Sequence, residues 1–196
     1  EAGNRQKLMI DELNHRVKNT LATVQSIAMQ TARTHAEPET FAEGFQARLM
    51  SLSHTHNLLT RTHWEGAELA DILTHETEAH GSMRILPNGP VVSLDPAQAL
   101  SLGMIFHELA TNAAKHGALQ SGDGRVLVDW SIQDATVSLV WREIDGPPVV
   151  ASEHRGFGSR LIERNVRHDL AGQSRFDYAP DGLIFSLTFP LERTAT

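Results

Sequence analysis

The sequence predicts an α+β protein in which a long antiparallel helical hairpin precedes an α/β sandwich of mixed sheet and helices. Three observations carry that reading. Residues 5–33 contain neither Pro nor Gly and space their apolar side chains at helical intervals. A second apolar run, Ala97–Phe106, suits a buried helix and passes into a polar stretch at 107–117. Beyond it, alternating segments are punctuated by Gly, Pro and Asp, as paired strands are.

Along the first helix Leu13, Val17, Leu21, Val24, Ala28 and Thr31 form a stripe. A helix of that length far exceeds the ~12 residues of a mean globular helix and points to a hairpin arm. Pro38 suits the first turn of the next helix, 39–61, whose apolar set is Phe41, Phe45, Leu49, Leu52, Leu58 and Leu59. One hairpin cannot bury both stripes, so a homodimer or a neighbouring domain is expected to cover the rest. His63-Trp64-Glu65-Gly66 marks a boundary, giving domains 1–64 and 65–196. Residues 67–79 read as a helix, and 83–86 and 91–94 as short strands around Pro87-Asn88-Gly89-Pro90. Asp95-Pro96 starts the long helix as N-cap and first position, and Gly117 stops it. Residues 125–132 and 136–143 make one hairpin and 175–178 and 183–189 another, with a loop at 145–158 and a helix at 157–170. Helices on one face of a mixed sheet follow.

Net charge is −7 with no basic tract, which argues against nucleic acid as a partner. There is no cysteine, hence no disulfide and no thiolate metal site, which fits a reducing, cytoplasmic setting. No apolar run approaches the ~20 residues that span a bilayer, and no signal peptide is visible. The chain opens on Glu1 rather than Met, so a longer parent protein is expected.

Two constellations carry chemistry. On the long helix Glu108, Asn112, Lys115 and His116 stand three or four residues apart and share a face. Polar atoms buried without partners cost roughly 1–3 kcal/mol each; a polyphosphate with its metal ion would give every one of these a partner. Downstream, Trp141-Arg142-Glu143-Ile144-Asp145-Gly146-Pro147-Pro148 ends a strand, and Arg155-Gly156-Phe157-Gly158 leads into a helix whose unpaired N–H groups suit an anion. On the first helix His15 points away from the apolar stripe, with Glu12 one turn before it and Asn19 one turn after. A carboxylate beside an exposed imidazole can hold a proton on one nitrogen and free the other to attack. The remaining histidines (35, 63, 75, 80, 154 and 168) read as surface or capping residues. Trp64 and Trp130 read as packing residues, and core packing is the safer reading of Trp141.

These motifs resemble the HWE subgroup of sensor histidine kinases across nearly the whole chain. Leu13–Asn19 is similar to the phosphoacceptor box, and Phe106–Leu119 to the N box, with His107 as the subgroup's named histidine. Trp141-Arg142-Glu143 matches the Trp-x-Glu signature and Gly156-Phe157-Gly158 the glycine-rich box. The resemblance implies a dimerisation and phosphotransfer hairpin followed by a Bergerat-type (GHKL) ATP-binding domain. It departs at Asp145, where the family's Trp-x-Glu-x-Gly-Gly-Pro has a glycine, so that Asp145 would crowd, share or replace the adenine-contacting role of Glu143.

As the resemblance implies, ATP would lie between the long helix and the glycine-rich box. Asn112 would hold Mg²⁺, with Glu108 orienting metal-bound water. Lys115 and the backbone of Gly156 and Gly158 would offset phosphate charge. Glu143 or Asp145 would accept from the adenine amino group. His15 would take the γ-phosphoryl group, with Glu12 as base, and pass it to an Asp of a response regulator receiver domain. An N-terminal sensor of PAS or LOV (light-sensing) type would precede the hairpin. The rivals are a Bergerat ATPase in which Glu108 activates water, and a docking scaffold with a decayed nucleotide site. A zinc hydrolase of the His-Glu-x-x-His type fails, because Thr111 stands where the second histidine is needed.

Overall fold

The computed structural model describes the backbone of residues 2–34, 37–63, 65–80, 82–148 and 157–191, and the side chains within those ranges except at 2–15, 34, 79, 82, 157 and 158. Two compact units result, Glu1–Leu49 and Met50–Thr196. They meet inside a helix, at 49/50, whereas the division expected from roles falls at 64/65.

In the first unit α1 runs Ala2–Thr34 and α2 runs Pro38–Arg61, continuing into the second unit. The hairpin is stitched where Arg48 of α2, almost wholly buried, donates to the Thr31 hydroxyl of α1 at 3.2 Å. Phe41 and Phe45, one turn apart, stack at 5.7 Å. The buried side of α1 is Ile27, Gln30 and Thr31, not the full expected stripe: Val17 and Leu21 are 49% and 62% exposed. One partner helix covers only a narrow seam, and that seam is turned toward Ile27, leaving the far edge of the stripe open.

The second unit is a five-stranded sheet, in the order β2 (Ile85–Asn88), β4 (Arg125–Gln133), β5 (Thr136–Ile144), β7 (Gly182–Pro190) and β6 (Gln173–Ala179), backed by helices. Short β1 (Ala67–Glu68) precedes α3 (Leu69–Thr77), so the helix expected over 67–79 is shorter at both ends. Residues 83–86 and 91–94 do not flank a shared turn of one ladder. β2 (Ile85–Asn88) lies parallel to β4 (Arg125–Gln133), whereas β3 (Ser93–Leu94) pairs antiparallel with β1. The link between them is pulled across the sheet by Trp130, whose indole N–H donates to the Pro90 carbonyl at 2.8 Å. Pro87 and Pro90 lack N–H groups, which suits an edge rather than a tight hairpin. The other strands follow expectation: β5 (Thr136–Ile144) pairs with β4 and with β7 (Gly182–Pro190), and β6 (Gln173–Ala179) with β7, all antiparallel.

Alternation explains the layering. Val126, Val128 and Trp130 of β4, Val137, Leu139 and Trp141 of β5, and Phe185, Leu187 and Phe189 of β7 are buried toward the helices, while Asp129, Ser138, Arg142 and Thr188 face outward. Against that face lie α4 (Pro96–His116) and α5 (Phe157–His168), with Leu102, Ile105, Phe106 and Leu109 of α4 fully buried. The start of α4 is fixed by a complete capping box between Asp95 and Gln98. Gln98 also donates to the Pro190 carbonyl at 3.0 Å, tying α4 to the end of β7. Among the described residues no helix is long and apolar enough to cross a membrane.

One polar knot sits inside this core. Glu76 of α3, 4% exposed, accepts from Ser51 Oγ at 2.7 Å and Thr55 Oγ1 at 3.0 Å, both on the last turns of α2. Burial pushes its carboxyl from about 4.5 up to about 7, against the lowering pull of the two hydroxyls. The folded state therefore keeps a proton that the unfolded chain has released, and stability contributed by Glu76 falls as pH rises from about 4.5 to about 7. At ~1.36 kcal/mol per pKa unit the loss is at most a few kcal/mol. Urea denaturation across that range should show wild type losing stability relative to Glu76→Gln, whose amide does not titrate. Parallel curves would contradict the assignment.

Candidate functional site

The site is built on the turn that follows α4. At Gly117 the chain leaves the helix in an extended conformation, φ −117°, so no left-handed cap is involved. Glycine is needed for space: a Cβ there would collide with the Glu143 carboxylate. The Ala118 N–H donates to Glu143 Oε2 at 2.9 Å, and Trp141 Nε1 lies 3.4 Å from Oε1. Glu143 is 3% exposed, so this bond joins the end of α4 to the end of β5 in a dry setting. Gly146, two residues beyond Ile144, packs on the Ala118 backbone where a Cβ would clash.

Arg84 holds the same turn from the other side. Its Nε donates to the Gly124 carbonyl at 2.8 Å, its other nitrogens reach the carbonyls of Ala118 and Leu119 at 3.3 Å, and one also reaches that of Ser121. Nothing in the residues around Arg84 signals this from sequence, because its partners are main-chain atoms far along the chain. Hydrogen bonds to charged groups contribute ~1.5–3 kcal/mol. Arg84→Met, which keeps the apolar stem, should lower stability in urea by about that amount. An unchanged midpoint would contradict the clamp.

The Trp-x-Glu departure now has a physical account. Asp145 sits at φ +56°, the left-handed region that glycine occupies without penalty and Asp tolerates better than most. Its side chain is exposed, and its carbonyl accepts from Ser121 Oγ at 3.1 Å. Position 145 thus carries a backbone requirement, and its exposed side chain stands apart in burial from Glu143. Asp145→Gly should raise stability or leave it unchanged, by at most about 1 kcal/mol, in thermal unfolding. A clear destabilisation would show that the carboxylate has a structural partner.

Along α4 exposure rises toward the turn. Glu108 is 4% exposed, Asn112 half-buried, Lys115 and His116 exposed. The four therefore line a path from the core to the surface on one helix. His107, half-buried, places Nδ1 3.8 Å from Glu76 Oε2. His80 was expected at the surface but is half-buried. Burial, and then the charge of Lys115, push its imidazole below the usual range, which puts it beside the cationic end of α4. His75 is also half-buried, edge-on to His54 at 5.3 Å. Trp141 is fully buried, in keeping with its core reading.

Some expected site residues lie outside what is described. Gly156 is one. Phe157 and Gly158 open α5, so the helix begins within the glycine-rich box rather than after it, but the Phe157 side chain is not described. His15 and Glu12 lie in α1 three residues apart, and their side chains are likewise outside the described set.

A mixed sheet backed by helices is a fold that this chain shares with solved histidine kinase domains. A blue-light activated histidine kinase from Erythrobacter litoralis EL346 superposes with a TM-score of 0.66 at 22% identity, over 92% of this chain and 58% of that one. The histidine kinase domain of the same protein gives 0.60 at 16% identity, over 87% and 94%. In sequence, the HWE histidine kinase family model matches residues 12–91. The blue-light-activated histidine kinase of Brucella anthropi is 35% identical over 191 residues, which is 94% of this chain and 39% of that protein. The chain belongs to the HWE histidine kinase family. It spans about 39% of the length of the curated relatives it matches.

Proposed function

We propose that this chain is the catalytic core of a cytoplasmic sensor histidine kinase, transferring the γ-phosphoryl group of ATP to His15 and then to an aspartate of a response regulator receiver domain. The observation that supports this reading is the Ala118–Glu143 bond, which joins the end of the N-box helix to the Trp-x-Glu strand end. Residues 1–64 would serve dimerisation and phosphotransfer, and 65–196 nucleotide binding. The exposed edge of α1, Val17 and Leu21, is the apolar surface a second copy would cover. A sensor of PAS or LOV type would precede the hairpin.

The donor set fits a Mg-nucleotide. Mg²⁺ takes hard oxygen ligands and keeps waters, so one amide oxygen from Asn112, with Glu108 one turn behind it to orient water, suffices beside the phosphates. When bound, the ion offsets charge between the β- and γ-phosphates. Lys115 and His116, exposed at the end of α4, add cationic capacity, and the backbone at Gly156, Phe157 and Gly158 would contribute N–H groups to the phosphates. Glu143 spends one acceptor site on Ala118. Trp141 Nε1 donates to its other oxygen, and a carboxylate has about four acceptor sites; Glu143 or Asp145 would accept from an adenine amino group, with Gly146 shaping the rim. At His15 an unprotonated ring nitrogen attacks the γ-phosphorus, an N–P bond forms as the bond to the ADP oxygen breaks, and Glu12 takes the proton from the other nitrogen. Such transfer needs mainly positioning and charge neutralisation.

Incubation with γ-labelled ATP and Mg²⁺ tests the reading. Label on the protein that is lost in mild acid and retained in alkali, and is weakened in Asn112→Ala, supports it. Free phosphate with no phosphoprotein would instead favour an ATPase in which Glu108 activates water.

A further inference from the structure

We propose that Glu76 is a positioning residue that couples the rotational setting of α2 to the N-box helix through His107. The proposal rests on the kinase reading above for its functional consequence, but not for its geometry.

Three elements converge on this carboxylate. Ser51 and Thr55, one turn apart on α2, each donate a hydroxyl to a different oxygen of Glu76, at 2.7 and 3.0 Å. His107 Nδ1 of α4 faces the Oε2 that Ser51 also contacts. α4 comes this close to α2 because residue 103, one turn before His107, is glycine: a Cβ there would collide with Thr55 Oγ1. All four groups belong to the second unit, while α2 itself is unbroken from Pro38 in the first unit to Arg61.

Packing alone does not ask for this arrangement. A buried carboxylate costs several kcal/mol to desolvate, and apolar residues of the same volume often serve stability as well or better. What a doubly hydrogen-bonded carboxylate supplies is registry. Apolar helix faces tolerate sliding, but turning α2 by one residue, ~100°, takes both hydroxyls away from Glu76 at once and leaves its oxygens dry. The setting of α2 is therefore bistable rather than graded, and its state is read at His107. Glu108 is the next residue along α4, and Asn112 lies just over one turn further. A tilt or twist arriving along the hairpin would thus reset the residues proposed to organise the Mg-nucleotide, without any contact to the nucleotide itself. The named histidine of the subgroup acquires a role in this scheme: it is the α4 end of the coupling.

The test uses the whole chain with Ser51→Ala/Thr55→Ala, which removes both donors and keeps Glu76, and with Thr55→Ser, which restores a hydroxyl. Two readouts are needed. Nitrogen-15 histidine spectra, with the His107 signal identified by its loss in His107→Gln, report the imidazole directly. Rates of phosphoprotein formation against ATP concentration report kcat and KM. The proposal predicts that the double variant shifts the His107 signal while leaving that of exposed His168 in place, and lowers kcat about tenfold at an unchanged KM. Thr55→Ser should return both toward wild type. A folded double variant with an unmoved His107 signal, or with wild-type kcat, overturns it. So does a fall in kcat that tracks only a loss of folded protein in thermal unfolding. If wild type forms no phosphoprotein at all, the kinase reading fails by itself, and the histidine spectra alone then decide the coupling.

Discussion

His15→Ala is expected to lower phosphoprotein formation by a factor on the order of 10³ or more, the scale at which removal of a nucleophile acts. ATP affinity should stay within about twofold, because in this account the variant removes only transition-state chemistry. The substitution is benign for the fold. Position 15 lies within the unbroken helix α1, and alanine is the strongest helix former. Residual label has a diagnostic chemistry. Glu12 stands one turn away on the same helix, and phosphate on a carboxylate is an acyl phosphate, which hydroxylamine and alkali cleave. Full retention of acid-labile label in His15→Ala would remove His15 from its role, measured by filter binding after acid and alkali treatment.

Glu143→Ala is expected to be the most damaging single change to the nucleotide half. Ala118 is 2% exposed, and its N–H loses its acceptor without access to water. The orphaned donor, the lost hydrogen bond and the space beside Gly117 together cost ~2–4 kcal/mol. The turn after α4 would loosen, and ATP affinity would drop with it. Glu143→Gln separates anchoring from recognition. Its amide oxygen can still accept from Ala118, so stability should fall by less than half as much in urea denaturation. If the carboxylate also meets the adenine amino group, ATP affinity of Glu143→Gln still falls at least about tenfold by calorimetry, one charge-assisted bond being worth ~1.5–3 kcal/mol. A variant that is stable and binds ATP like wild type would leave Glu143 as an anchor alone.

Helix periodicity and caps were legible in the sequence because they are local. Asp95-Pro96 and Gly117 bracket α4, and the alternation in β4, β5 and β7 predicts which side chains meet the helices. Long-range pairing was not. Strands β2 and β3 read as neighbours around one turn, and no local signal says that Ile85 pairs with Val126 or Leu94 with Ala67. The α1 stripe was visible, but which edge of it a single partner helix covers depends on how α2 lies, so Val17 and Leu21 stand open. Within the site, residue types were readable from the motifs, whereas their duties were not. That Glu143 also holds a backbone N–H, and that Asp145 meets a left-handed backbone angle, depends on the tertiary fold. Arg84 and Glu76 carry no local signal because their partners lie 21 to 40 residues away in sequence. An arginine among surface turns and a glutamate on an amphipathic helix look ordinary until the tertiary fold removes their water.

The measurement that bears most directly on the central claim is the location of the phosphoryl group after one turnover. Tryptic digestion at alkaline pH gives the peptide Leu8–Arg16, which contains one histidine and no Ser, Thr or Tyr. The account predicts that, after incubation with Mg-ATP, this peptide gains the mass of one phosphoryl group, and that mild acid removes it. A phosphoryl group found only on other peptides, or released wholly as free phosphate, would contradict it.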